Sequence, residues 1–175
     1  MNPKISDFGM ARIFTNDEQE ANTMKIVGTR GYMSPEYVMG GNFSIKSDVY
    51  SFGVLMLEIL SGRKNNSFYN DDHAINIVGY AWALWREVAG LRLTDPRLGD
   101  SCDKNQFLRY VHVGMLCVEE NAANRPTMLD VISMLANTKP RLCTERNVIT
   151  AVVCRNGPEI IASVNGISNS DFDGR

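Results

Sequence analysis

The stretch from Lys46 to Leu60 limits most severely how this chain can fold. Val49, Phe52, Val54, Leu55, Met56, Leu57, Ile59 and Leu60 wrap most of a helical circumference. A helix apolar on nearly every side must be surrounded by other elements. Ser47 is placed to cap its start, and Asp48 suits the positive end of its dipole. Gly62 supplies a stop, with Arg63 and Lys64 at the negative end. Three further segments read as helices able to pack around it. Ile75 to Val88 is amphipathic and carries both tryptophans, Trp82 and Trp85, which read as core rather than as a ligand cage. Phe107 to Val118 aligns Leu108, Val111 and Met115 on one stripe, and Pro126 opens a last helix bearing Met128, Val131, Ile132 and Leu135.

The remaining segments frame these helices. Pro3 to Phe14 reads as two short strands around a turn at Gly9, and Thr15 to Lys25 is a polar surface loop without apolar period. Ser34-Pro35-Glu36 suits a helix start. Asn65 to His73 reads as a second polar loop, and Asp95-Pro96 and Gly99-Asp100 as turns. Beyond Lys139-Pro140 the pattern decays, and the tail is expected to be poorly ordered. The expected fold class is mainly α: a helical bundle with a short strand pair at its N-terminus, forming an incomplete domain over residues 1–138, with a tail over 139–175.

Composition narrows the partners. With 18 Lys plus Arg against 20 Asp plus Glu, the formal charge is −2, which disfavours nucleic acid or an anionic membrane surface. Hydrophobic residues make up 44%, enough to argue against wholesale disorder. No apolar run approaches the roughly 18 residues of a membrane span, and Met1-Asn2-Pro3-Lys4 does not begin a signal peptide. Cys102, Cys117, Cys143 and Cys154 form no CxxC pair and read as reduced cytosolic thiols. His73 and His112 are too far apart for a helical metal pair, so no His or Cys metal site is expected.

Chemistry enters with Asp7-Phe8-Gly9. A carboxylate held at a strand end can ligate Mg²⁺ bridging nucleotide phosphates, and the adjacent glycine lets the backbone turn sharply. Alone the tripeptide is equally an Asp-containing turn. It is followed by Ser34-Pro35-Glu36, by Lys46-Ser47-Asp48-Val49-Tyr50-Ser51-Phe52-Gly53 opening the buried helix, and by Asn124-Arg125-Pro126-Thr127. In this order the set resembles the C-terminal half of a protein kinase domain, where D-F-G precedes a phosphorylatable loop and A-P-E, with Ser34 in place of the alanine. Gly79-Tyr80-Ala81-Trp82 and Val111-His112-Val113-Gly114-Met115-Leu116-Cys117-Val118 sharpen the resemblance to plant receptor-like serine/threonine kinases. The S-domain (G-type lectin) branch fits first and the cysteine-rich branch next.

The resemblance implies roles residue by residue. Asp7 matches the Mg²⁺ ligand, Phe8 a hydrophobic-spine residue and Gly9 the turn beside them. Thr23, Thr29 and Tyr32 fall in the activation and docking loops and are candidate phosphosites, with an unmodified hydroxyl the alternative at Thr23. Thr29, Gly31 and Tyr32 match the substrate loop, Thr29 facing the substrate hydroxyl; Arg30 departs from the aromatic residue commoner there. Glu36 and Arg125 match a buried ion pair. Asp48 matches an acid that accepts hydrogen bonds from the catalytic-loop backbone, or is simply a helix N-terminal charge. The family uses ATP and Mg²⁺, takes protein substrates or signalling proteins as partners, and works at the cytosolic face of the plasma membrane.

Parts that such chemistry needs are missing from these residues. No G-x-G-x-x-G occurs, no lysine sits in a V-A-I-K context, and no His-Arg-Asp is present. Met1 falls just downstream of where the family's catalytic loop would end, so no residue matches the general base. The expectation is a C-terminal piece of a receptor-like kinase that, alone, neither binds ATP usefully nor transfers phosphate. A non-catalytic docking or decoy module and a degenerate gene fragment are the alternatives.

Overall fold

The computed structural model describes residues 4–14, 20–65 and 76–136. Its elements run β1 (Glu20–Asn22), α1 (Pro35–Gly40), β2 (Asn42–Ser44), α2 (Ile45–Ser61), α3 (Ile77–Arg86), α4 (Lys104–Cys117) and α5 (Met128–Ala136), with short 3-10 turns between. The two strands pair antiparallel, Ala21 opposite Phe43. The expected tail over 139–175 and most of the expected loop over Asn65 to His73 lie outside the described residues. No helix among the described residues is long and apolar enough to cross a membrane.

Helix α2 is the axis of the bundle. Val49, Gly53, Val54, Met56 and Leu57 are buried along it. It is shared by two apolar clusters. One joins Val54 and Leu57 to Ile77, Ala81 and Leu84 of α3 and to Phe107, Val111 and Met115 of α4. The other joins Val49 and Met56 to Val113, Cys117 and, from α5, Val131. The tryptophans pack against the first cluster, and Trp85 of α3 lies 5.5 Å from His112 of α4, ring centre to ring centre. Covering stops short of the full circumference: Leu55 and Ile59 stay exposed beside an apolar groove lined also by Tyr110 and Leu135.

The ends of α2 show how two serines share one task. Ser44, not Ser47, is the N-cap; its hydroxyl accepts from the Lys46 N–H at 3.1 Å. Ser47 sits at the third helical position and accepts from the Ser44 N–H at 3.1 Å, closing a capping box. At the far end Gly62 is left-handed, with φ 65°, and its N–H donates to the Glu58 carbonyl, as expected for the stop. For α5 the cap is Thr127, one residue after Pro126: its hydroxyl accepts from the Asp130 N–H at 3.2 Å while Asp130 accepts from the Thr127 N–H at 3.0 Å.

Two local expectations are corrected. The mainly helical lobe with one strand pair holds, but residues 4–14 contain no strand; only a turn closes there, the Ala11 N–H donating to the Phe8 carbonyl at 3.0 Å. Ile5, Met10 and Ile13 are exposed, and β-branched residues alone do not make a strand without a partner edge. The polar stretch read as loop instead contributes β1, whose pairing with β2 supplies hydrogen bonds that its composition does not advertise.

Helix α3 ends in a Schellman motif: the Ala89 N–H donates to the Leu84 carbonyl at 2.9 Å and the Val88 N–H to the Trp85 carbonyl at 3.1 Å. The left-handed position is Val88, φ 56°, and 94% exposed. A β-branched residue there costs about 1–2 kcal/mol and buries nothing in return. Val88→Gly is therefore expected to stabilise the chain by about 1 kcal/mol in urea unfolding, whereas an unchanged or lowered midpoint would remove this reading of the motif.

Candidate functional site

Asp7 stands near the start of the described chain with its backbone left-handed, φ 64°. Such a conformation in a non-glycine residue is uncommon, more so outside Asn, Asp and His, and gathers at functional sites. Among the described residues its carboxylate accepts only a long bond, from the Gly9 N–H at 3.4 Å. Phe8 is 67% exposed, so it packs into no spine here. Mg²⁺ requires near-octahedral oxygen ligation, usually one or two carboxylates plus substrate phosphates. Among the described residues no three His, Cys, Asp or Glu side chains gather. The described donor set around Asp7 thus does not by itself hold the metal.

The segment Thr29–Tyr32 is more firmly built. It forms one 3-10 turn, the Tyr32 N–H donating to the Thr29 carbonyl at 3.0 Å. Three groups tie it to the bundle. The Tyr32 hydroxyl donates to Glu58 Oε2 at 2.6 Å, Ser51 Oγ donates to the Tyr32 carbonyl at 2.6 Å, and Asn65 Nδ2 donates to the Gly31 carbonyl at 2.7 Å. The Glu58 carboxylate, by this hydrogen bond first and then by burial and charge, pushes the Tyr32 phenol above its ordinary value. Thr29 is exposed. Thr23 lies apart, its hydroxyl closing a local turn with Lys25 and its N–H donating to the Gly41 carbonyl at 3.0 Å. Glu58 and Ser51 are marked in the sequence by being polar residues within the apolar run Val49–Leu60 of α2. Asn65 carries no such mark.

The structure brings Glu36 and Arg125 together. The Arg125 guanidinium meets the carboxylate in a fork, both N–H···O distances being 2.8 Å. Its other donors reach the carbonyls of Glu119 at 2.7 Å, Lys46 at 3.0 Å and Glu120 at 3.1 Å. All five guanidinium N–H groups are thereby engaged, the Arg125 side chain is fully buried, and the Tyr50 ring lies 5.0 Å from its centre. Lys46 Nζ donates in turn to the Arg125 carbonyl. Ser47, the capping-box member of α2, donates to Glu36 Oε1 at 2.9 Å. One cluster therefore fixes the start of α1, the start of α2 and the turn before α5. Asp48, next to Ser47, is exposed, and no hydrogen bond or ion pair joins its carboxylate to another described residue.

Burial pushes the Glu36 carboxyl up, but hydrogen bonds, those from Arg125 first, outweigh it and hold it at about 2. A depressed acid stabilises the fold above its unfolded pKa near 4.3 and loses that contribution as pH falls through its folded value. Allowing for solvent at this half-covered carboxylate, the contribution is about 2 kcal/mol. The wild-type chain should lose it between about pH 4 and pH 2. Glu36→Gln should flatten that part of the stability–pH curve, and a mutant curve still parallel to wild type would exclude Glu36 as its source.

Ser34, at the N-cap of α1, is buried, yet its side chain makes no cap. Its Oγ makes no well-aligned hydrogen bond among the described residues, but it lies beside the Glu36 carboxylate and helps to hold that acid in its ionised form.

Comparison with known proteins now decides the family. The model for protein tyrosine and serine/threonine kinases matches residues 1–135. The chain belongs to the protein kinase family. Cysteine-rich receptor-like protein kinase 10 of Arabidopsis thaliana is 56% identical over 146 residues, covering 83% of this kinase chain and 22% of the relative. Receptor-like serine/threonine-protein kinase SD1-8 of the same plant is 52% identical over 160 residues, 85% of this chain and 19% of the relative. G-type lectin S-receptor-like serine/threonine-protein kinase SD1-13, also from that plant, is 46% identical over 184 residues, 100% of this chain and 22% of the relative. Both branches that the sequence suggested are represented. The kinase chain spans about a fifth of the length of these relatives.

Proposed function

We propose that this chain is the substrate-docking, helical part of a receptor-like serine/threonine kinase. The whole protein transfers the γ-phosphate of ATP to Ser or Thr hydroxyls of protein substrates, using Mg²⁺, at the cytosolic face of the plasma membrane. Within it Asp7 is one metal ligand, Thr29, Gly31 and Tyr32 form the substrate loop, and Thr23, Thr29 and Tyr32 are the candidate phosphosites. Nucleic acid is not a partner in this reading.

The observation that carries it is an asymmetry. The loop from Thr29 to Tyr32 is pinned to α2 by Ser51 and Glu58, while Asp7 belongs to no cluster of three or more His, Cys, Asp or Glu side chains among the described residues. The docking side is built and the nucleotide side is not. General-base help is worth about 10²- to 10⁴-fold and positioning more, and these residues supply neither. The 175 residues alone therefore do not transfer phosphate. The test is incubation of the purified chain with Mg·ATP and a protein substrate. No transfer above that of Asp7→Ala is expected; Asp7-dependent transfer by the chain alone would overturn the proposal.

A further inference from the structure

We propose that Asn65 is a positioning residue that sets the docking loop at Gly31–Tyr32, and so governs how tightly a protein substrate is held; this rests on the reading of that loop as the docking segment. Asn65 is 8% exposed and lies at the end of the described stretch after α2. Its side chain does two things at once. Nδ2 donates to the Gly31 carbonyl at 2.7 Å, and Oδ1 accepts from the Ile77 N–H at 3.0 Å. Ile77 is the first residue of α3, so its N–H is one of those that a helix cannot satisfy internally. The side-chain amide offers a donor and an acceptor in one plane; an ionised acid of the same shape loses the donor and an aliphatic residue loses both.

The main chain of Asn65 adds a third link. Its N–H donates to Glu58 Oε1, and the other oxygen of that carboxylate accepts the Tyr32 hydroxyl at 2.6 Å. Gly31 and Tyr32 are thus held by one closed ring of bonds: the first by its carbonyl through Asn65, the second by its hydroxyl through Glu58. Gly31 fits this ring because a Cβ there would stand 2.6 Å from Asn65 Nδ2. The glycine and the asparagine are two halves of one contact between the loop and the turn before α3. The contact acts on the position of the loop backbone and supplies no group to the reacting atoms, so the effect is expected on docking and not on the chemical step.

Two measurements test this. In the chain itself, Asn65→Ala should speed hydrogen exchange at the Tyr32 and Met33 amides about five- to tenfold, the loss expected for one buried bond, and leave Leu57 in α2 unchanged. Gly31→Ala, which displaces the amide from the loop side, should do the same, and keeps the test decisive should Asn65→Ala fail to fold. Exchange unchanged at the loop, or raised equally throughout α2, overturns the proposal. In a graft of this chain onto the remainder of cysteine-rich receptor-like protein kinase 10, Asn65→Ala should raise KM for the protein substrate about five- to tenfold, with kcat and KM for ATP within about twofold. A loosened loop with an unchanged substrate KM would overturn the docking reading of the loop while the contact stands. A fall in kcat alone would overturn the positioning role.

Discussion

Arg125→Ala is expected to destabilise the chain by about 3–5 kcal/mol, a large share of the 5–15 kcal/mol by which a folded domain typically exceeds its unfolded state. Coulomb attraction to Glu36 is the smaller part of the reason. A buried ion pair by itself roughly breaks even against its desolvation. What truncation leaves behind is a half-covered carboxylate without its fork and three backbone carbonyls, of Lys46, Glu119 and Glu120, without their donor. Arg125→Lys keeps the charge but has three donors in place of five and no plane to match the carboxylate, so it should recover less than half of the loss. Urea unfolding of both variants measures this. A loss below about 1 kcal/mol for Arg125→Ala would mean that the cluster joining α1, α2 and the turn before α5 does not hold them together.

Gly53→Ala carries the second large effect, with a sign opposite to the usual one. On propensity alone alanine in a helix interior gains about 0.8–1 kcal/mol over glycine. Here a Cβ would stand 2.6 Å from the Cys117 Cβ, 2.8 Å from Val118 Cγ1 and 3.1 Å from the Gly114 carbonyl. The first and third of these are held by the backbone of α4 and cannot swing aside. The helices would have to part, and overpacking of this kind costs about 1–3 kcal/mol or more. The net expectation is a loss of about 2 kcal/mol. Gly79→Ala in α3 is the matched control: that position is exposed, and its Cβ would meet nothing nearer than Asn76 Oδ1 at 3.6 Å. It should gain about 0.5–1 kcal/mol. Parallel changes at the two glycines, measured by urea unfolding, would deny the close approach of α2 and α4.

The two cases mark what could be read from the residues and what could not. Helix α2 was legible because eight apolar residues on nearly every side of one helix leave it nowhere but the centre. Gly62 was legible because a stop needs a left-handed residue. The choice between Ser44 and Ser47 was not, since both are good caps and the box uses both. Strand β1 was hidden because Glu20, Ala21 and Asn22 have no strand preference; its partner at Asn42–Ser44 confers the pairing. Residues 4–14 failed the other way, with strand-forming side chains and no edge to join. The fork between Glu36 and Arg125 links residues far apart in the chain, so spacing could not reveal it, and only the resemblance to kinases did. Asn65 was invisible by either route: an asparagine in a polar run looks like a loop residue until Gly31, Glu58 and Ile77 are seen around it.

The most direct test of the account joins what this chain has to what it lacks. Grafted in place of the aligned segment of cysteine-rich receptor-like protein kinase 10, these residues should give a kinase that phosphorylates a protein substrate, that loses this activity on Asp7→Ala, and that far exceeds the chain alone. A graft that folds cooperatively yet transfers no phosphate would contradict the claim that this helical lobe is the docking half of a protein kinase.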